Sequence, residues 1–332
     1  MDDVIKEYLA SLEFGELRRY REVAVLPVFS QKASKQDYLT AEKAIREGLV
    51  VITEVSAGGS VPELKVINNA ELPVLLLDGE ELVGAKQNRV LNTTILLKEK
   101  SETVIPVSCC EQGRWSSASK NFAASNDLMP AMMRYRKVEG VSANLRSGHR
   151  YASQQGEVWN DIKEMQTRVG VDSVTGAMKD VFDARKDHLK DYLEAFPCEK
   201  DQKGILVFLN GKVLGFDVVS LSSAYQAFHE KLVRSYTLDV LAVSGAEKAS
   251  KDKAAAFIKD AQTCTESRYE SVGYGFDYRY EARNIVGSVL AHREEAVHAA
   301  FFRTEGNQIL AHMSGVRQRS ARMMDGDRFI TH

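Results

Sequence analysis

Proline is scarce in this chain: six residues scattered over 332, with no Pro-rich stretch to act as a stiff linker. Cysteine is equally sparse. Cys109 and Cys110 are adjacent, Cys198 and Cys264 stand alone, and no C-x-x-C occurs, which argues against a disulfide framework and against a thiolate metal site. No apolar run approaches the roughly 20 residues that span a bilayer. Neither sign of charge dominates: the formal net charge is −2, too small for a global field that would draw the protein to nucleic acid or anionic lipid. Phosphate loops are missing too. Ala57-Gly58-Gly59-Ser60 lacks the Lys-Ser/Thr ending, and Gly273-x-Gly275 lacks a third glycine and a following helix. The seven histidines form no H-x-x-x-H, H-x-H or Cys/His spacing, so no metal and no cofactor are expected. The opening Met1-Asp2-Asp3-Val4-Ile5-Lys6 lacks the basic region and apolar core of a signal peptide. With unpaired thiols, the expectation is a cytoplasmic protein with no membrane contact.

What is present reads as an α+β fold, with mixed, mainly antiparallel sheets and packed helices. Val4, Ile5, Tyr8, Leu9 and Leu12 recur at helical spacing; strand-like runs follow at Val23–Phe29 and Leu49–Thr53, with a helix over 38–47. Residues 20–115 are β-rich, and Asp78-Gly79 and Asn210-Gly211 each predict a two-residue hairpin, because both turn positions favour positive φ. Residues 116–154, rich in Ser, Asn and Arg, read as an irregular basic excursion. Helices are expected over 155–196, an α+β region over 204–303, and a mobile tail over 304–332. The whole is expected to form one large domain, β-rich in its N-terminal third and helical in the middle.

Side chains alternate faces along a strand. Leu91, Ile95 and Leu97 share a face whose backward steps reach Arg89 and Gln87, while Ile105, Val107 and Cys109 share one that reaches Glu111. Two apolar faces therefore run into charge at one end. Buried charge is costly when unpaired, so Arg89 and Glu111 should either pair or line a wet cavity. Around them stand Glu80, Glu81, Lys86, Asn88, Asn92, Gln112, Arg114 and Trp115, more polar groups than one structural salt bridge needs. On this reading Lys86, Gln87, Arg89, Asn92, Arg114 and Trp115 hold a small anionic ligand, and Glu111 or Glu81 is the acid–base group, its pKa raised by apolar surroundings. Cys109 falls in step with Ile105 and Val107 and reads as a packing residue rather than a nucleophile. Asp277 with Arg279, and Asp217, are weaker candidates for a structural pair or a second pocket wall.

The run Asp78-Gly79-Glu80-Glu81-Leu82-Val83-Gly84-Ala85-Lys86-Gln87-Asn88-Arg89-Val90, with Ile105-Pro106-Val107-Ser108-Cys109 and Glu111-x-Gly113-Arg114-Trp115, resembles the ARG and rhodanese-phosphatase-superfamily-associated protein domain family. Gly273-Tyr274-Gly275-Phe276-Asp277-Tyr278-Arg279-Tyr280 and Gly287-Ser288 are similar to it as well, so the likeness spans most of the chain. The family's name records association with ADP-ribose- and phosphate-processing proteins and not a reaction. What the resemblance implies is a nucleotide, ADP-ribose derivative or phosphorylated metabolite as ligand, bound with or without hydrolysis.

Residues 111–151 hold seven basic side chains, Arg114, Lys120, Arg134, Arg136, Lys137, Arg146 and Arg150, against Glu111, Asp127 and Glu139, with Tyr135 and Tyr151 among them. Cations interleaved with aromatics can bind phosphates and stack on bases. A weak RNA contact is therefore the alternative partner, and an arm docking on a second subunit in a homo-oligomer explains the same composition.

Overall fold

The computed structural model describes residues 1–56, 58–238, 240 and 248–304. The expected tail lies outside them, apart from residue 304. Helix α1 (Asp3–Ala10), capped by the Asp2 carboxylate, is followed by β1 (Leu12–Phe14), β2 (Arg18–Tyr20) and β3 (Val23–Ser30). Next come β4 (Leu39–Thr40), α2 (Ala41–Arg46), β5 (Val50–Glu54), β6 (Glu63–Asn68), β7 (Val74–Leu76) and β8 (Glu80–Gly84). Strands β9 (Arg89–Leu91), β10 (Ile95–Leu97), β11 (Ser101–Cys109) and β12 (Phe122–Leu128) lead to helices α3 (Ala131–Arg146), α4 (Gln155–Val169), α5 (Met178–Ala184) and α6 (Lys186–Ala195). The rest is β13 (Gly204–Leu209), β14 (Lys212–Val219), α7 (Ser222–Thr237), α8 (Lys251–Ala261), β15 (Thr265–Glu270), β16 (Phe276–Ala282), β17 (Ile285–His292) and β18 (Glu295–Arg303).

These elements make an α+β fold. Nine strands form one large sheet, ordered β1-β3-β13-β14-β18-β17-β16-β15 with β2 also on β3, and its neighbours pair antiparallel. Along β13, Ile205, Val207 and Leu209 face one way, and Leu206 and Phe208 the other. Both faces are covered, which is why the run is apolar throughout. Tyr225, Phe228, Leu232 and Tyr236 of α7 pack on the first face with Met132 of α3; Ile5 and Leu9 of α1 and Phe257 of α8 pack on the second. Six further strands close a barrel in the order β11-β6-β5-β12-β8-β9. Its interior holds Ile52, Leu64, Val66, Leu82, Leu91, Ile105, Val107 and Phe122.

Asn210-Gly211 turns a hairpin as expected, with φ of 49° and 75° joining β13 to β14. Asp78-Gly79 does not. Strand β7 pairs with β4 and β10, whereas β8 belongs to the barrel, and only Gly79 has positive φ, 84°. The turn passes the chain between two sheets, close over Arg134: a Cβ on Gly79 would lie 3.1 Å from that side chain's Cγ and Cδ. The likeness of the two dipeptide runs is therefore not a structural repeat.

Residues 116–154 also differ from expectation. In place of an irregular excursion they contain β12 and the whole of α3. Apolar periodicity misses α3 because its inward face carries Arg134 and Lys137, 0% and 4% exposed, beside Met133, Val138 and Val141.

Candidate functional site

Arg89 begins β9, opposite Leu82 of β8 and Cys109 of β11, so its side chain continues the interior face of the barrel. It is fully buried. Its Nη1 donates to Gln87 Oε1 at 3.1 Å and, more weakly, to the Asn88 carbonyl at 3.4 Å. Nε and Nη2 have no hydrogen-bond partner. No carboxylate among the described residues pairs with it. Above the guanidinium stands Trp115, half exposed, with its ring centroid 5.8 Å from Arg89 Cζ and 5.2 Å from Lys86 Nζ.

Glu111 was expected either to pair with Arg89 or to face it across a wet cavity. Its ion-pair partner is Arg114, which donates Nε to Oε1 at 2.8 Å and Nη2 to Oε2 at 2.5 Å. The Asn88 N–H and the Thr175 hydroxyl complete its shell at 3.1 Å each. Arg89 and Glu111 share no direct contact and are linked through Gln87, whose Nε2 donates to the Glu111 carbonyl at 2.9 Å, and through Asn88. Burial pushes the Glu111 carboxyl up, but Arg114 and the Asn88 N–H outweigh it and hold the group below its usual range. Residues 173–177 strap this exit: the Gly113 N–H donates to the Thr175 carbonyl at 2.7 Å, and Glu111 bridges to Ala177.

The structure thus gathers Lys86, Gln87, Arg89, Glu111, Arg114 and Trp115 at one end of the barrel. It places the other two expected residues elsewhere. Asn92 donates to the Tyr151 carbonyl at 3.0 Å and accepts from Ser108 at 2.5 Å. Glu81 alternates with Leu82 and faces outward from the barrel, accepting from Ser125 at 2.8 Å and from the Cys110 thiol at 3.5 Å. Burial, then the nearby Asp127 charge, pushes the Glu81 carboxyl up to about 7. Cys109 is buried, and burial raises its thiol although Arg89 and Trp159 pull it down. Both features fit a packing residue.

A second polar cluster escaped the sequence reading. Asp217 of β14 receives Arg134 through both nitrogens, at 2.6 and 3.0 Å, with Tyr236 at 2.8 Å and His298 Nε2 at 3.2 Å. His298 Nδ1 lies 2.8 Å from Thr94, and Lys137 pairs with Asp78. Asp277 receives Thr93 and Arg279 at 2.5 and 2.7 Å. Asp217 and the Asp277–Arg279 pair were visible singly, but nothing in the sequence joined them to Arg134. Ion pairs, in this cluster and elsewhere, occupy much of the basic segment: Arg114, Arg134, Arg136, Lys137 and Arg146 all sit in them.

Residues 11–302 match the model of the ARG and Rhodanese-Phosphatase-superfamily-associated Protein domain. The chain belongs to that family. No curated protein and no solved structure matches it. Both polar clusters lie inside the matched ARG and Rhodanese-Phosphatase-superfamily-associated Protein domain, as does Glu81. Among the described residues no three His, Cys, Asp or Glu side chains are grouped to hold a metal ion, and no helix is long and apolar enough to cross a membrane.

Proposed function

We propose that the barrel end binds a small anionic ligand, with Arg89 as its counter-charge. One observation carries this reading. Of the three arginines with at most 2% exposure among the described residues, Arg134 and Arg279 hold carboxylates and Arg89 holds none. A desolvated, unpaired guanidinium costs several kcal/mol, a cost that an anion delivered from outside removes. The domain's name associates it with the rhodanese-phosphatase superfamily, which accords with a phosphate-bearing ligand such as a nucleotide, an ADP-ribose derivative or a phosphorylated metabolite.

Binding is favoured over hydrolysis as the primary role. Glu111 is ionised and committed to Arg114, whereas Glu81, whose pKa suits proton transfer, reaches Cys110 and Ser125 and not Arg89. The test is thermal stabilisation by nucleotides, ADP-ribose and sugar phosphates, because a ligand that binds only the folded state raises its melting temperature. The parent protein is expected to respond to at least one of them and Arg89→Met to none. An equal response in Arg89→Met, or no response in the parent, overturns the reading.

A further inference from the structure

The donors that Arg89 leaves free are not a random pair. In a guanidinium, the Nε–H and one Nη2–H point the same way along one edge, the edge that meets two oxygens of a single anion in parallel. Arg89 spends Nη1 on Gln87 and Asn88 and leaves Nε and Nη2, both buried, without partners. Trp159 lies alongside: its side chain interacts with Cys109, the residue facing Arg89 across the β9–β11 pairing. A spherical ion would satisfy at most part of this arrangement. An oxyanion with two oxygens side by side satisfies the whole edge.

Resting on the anion-binding reading above, we infer that Arg89 takes a carboxylate or phosphate group side-on through Nε and Nη2, and that Trp115 is the lid over that edge. Trp115 suits this role. It follows the Glu111–Arg114 anchor, lies in an irregular segment, and keeps half its surface in solvent while its ring covers the guanidinium. Swinging the ring outward gives up its cation–π contacts with Arg89 and Lys86 and leaves the barrel strands in place. An oxyanion entering beneath it gains two charge-assisted hydrogen bonds, each stronger than a neutral one.

Trp115 and Trp159 are the chain's two tryptophans, so intrinsic fluorescence reads this place directly. The full-length protein is titrated with inorganic phosphate, acetate and chloride at constant ionic strength. Phosphate or acetate is expected to give a saturable change, and which of the two binds tighter identifies the anion class; chloride is expected to give none. Arg89→Lys keeps the charge but removes the fork, and should weaken the response at least tenfold, the equivalent of ~1.4 kcal/mol. Circular dichroism confirms that the Arg89→Lys protein is folded. If Arg89→Lys binds as tightly as the parent while Arg89→Met does not, side-on capture is wrong and the anion site stands. If Arg89→Met also binds as tightly, the anion site itself fails. A chloride response matching that of phosphate, or no saturable response to either oxyanion, likewise overturns side-on capture. Trp115→Leu, with Trp159 as reporter, should bind phosphate faster; an unchanged rate removes the lid.

Discussion

Two of the groups of buried charge among the described residues are built on opposite rules. Between α3 and the large sheet, Asp78, Asp217 and Asp277 meet Lys137, Arg134 and Arg279, so three formal negative charges balance three positive ones. Asp217 alone accepts from Arg134, Tyr236 and His298. At the barrel end, Glu111 and Arg114 neutralise each other at the rim, and Arg89 is left inside with a glutamine, a carbonyl and an indole ring. Satisfied networks rigidify a fold, whereas an unsatisfied one is held at a cost. The balanced cluster can be understood from folding alone. The unbalanced one asks for something the chain does not contain.

The largest expected effect comes from unbalancing the first cluster. Arg134 raises its hold on Asp217 enough to keep that carboxyl well below the usual range despite complete burial. Asp217→Ala leaves Arg134 with only its 3.8 Å contact to Asp78 and removes the partner of Tyr236 and His298, so a loss of about 3–5 kcal/mol in denaturant unfolding is expected. A loss below ~1 kcal/mol would mean that the network is no clamp.

Glu81 sharpens the comparison through pH. Its acid form is favoured in the folded state, since burial lifts the carboxyl from 4.5 to about 7. The stability this gives is complete below pH 4.5 and is lost as pH rises through 7. The loss amounts to about 3 kcal/mol at most. Glu81→Gln should therefore show a flatter stability profile between pH 5 and 8 than the parent. Asp161, pushed up to about 6 chiefly by burial, contributes the same sign of slope in both proteins, so only the difference between them reports on Glu81. Parallel profiles would place Glu81 in a wetter environment than its 1% exposure suggests.

Arg89→Met inverts the outcome at Asp217. Replacing an unpaired buried charge with a side chain of similar volume removes a desolvation cost, so the variant should equal the parent or exceed it by about 1–2 kcal/mol without ligand. Destabilisation by several kcal/mol would assign Arg89 to the scaffold, and the comparison of the two clusters would collapse.

How much of this was legible depends on whether a strand or a helix announced its buried face with apolar residues. The β13–β14 hairpin was readable from Asn210-Gly211 and the runs beside it, and Arg89 and Glu111 were singled out because each continues an apolar strand face. Helix α3 was not readable, because Arg134 and Lys137 occupy the positions where leucine or valine would have marked the inward side. The Asp78-Gly79 turn misled for another reason: a turn signal specifies that the chain reverses, not that the flanking strands pair. The link from Asp217 to Arg134 spans 83 residues and exists only once the sheet and helix have docked. Strand alternation also ran out at Glu111, which leaves β11 and turns toward Arg114, so Arg114 and not Arg89 became its partner.

That last difference supplies the smallest and most discriminating measurement. Arg89 and Glu111 share Gln87 but no ion pair, so a double-mutant cycle with Arg89→Met and Glu111→Gln should give a coupling below ~0.5 kcal/mol. The same cycle on Glu111→Gln and Arg114→Met should give more, about 1 kcal/mol, because the pair is bidentate and sits at a partly exposed rim where water can solvate a lone survivor. Glu111 is held below its usual range, so the Glu111–Arg114 term is present above about pH 4.5 and fades as pH falls through the depressed value. Measuring both cycles at pH 7 and again in acid separates the alternatives. If the Arg89–Glu111 coupling exceeds the Glu111–Arg114 coupling at pH 7, Arg89 already has its anion within the chain, and a ligand is not required to neutralise it. If the order is as expected, the guanidinium inside the barrel is without a counter-charge in the folded protein, and the rim pair serves to hold Trp115 and the strap over it.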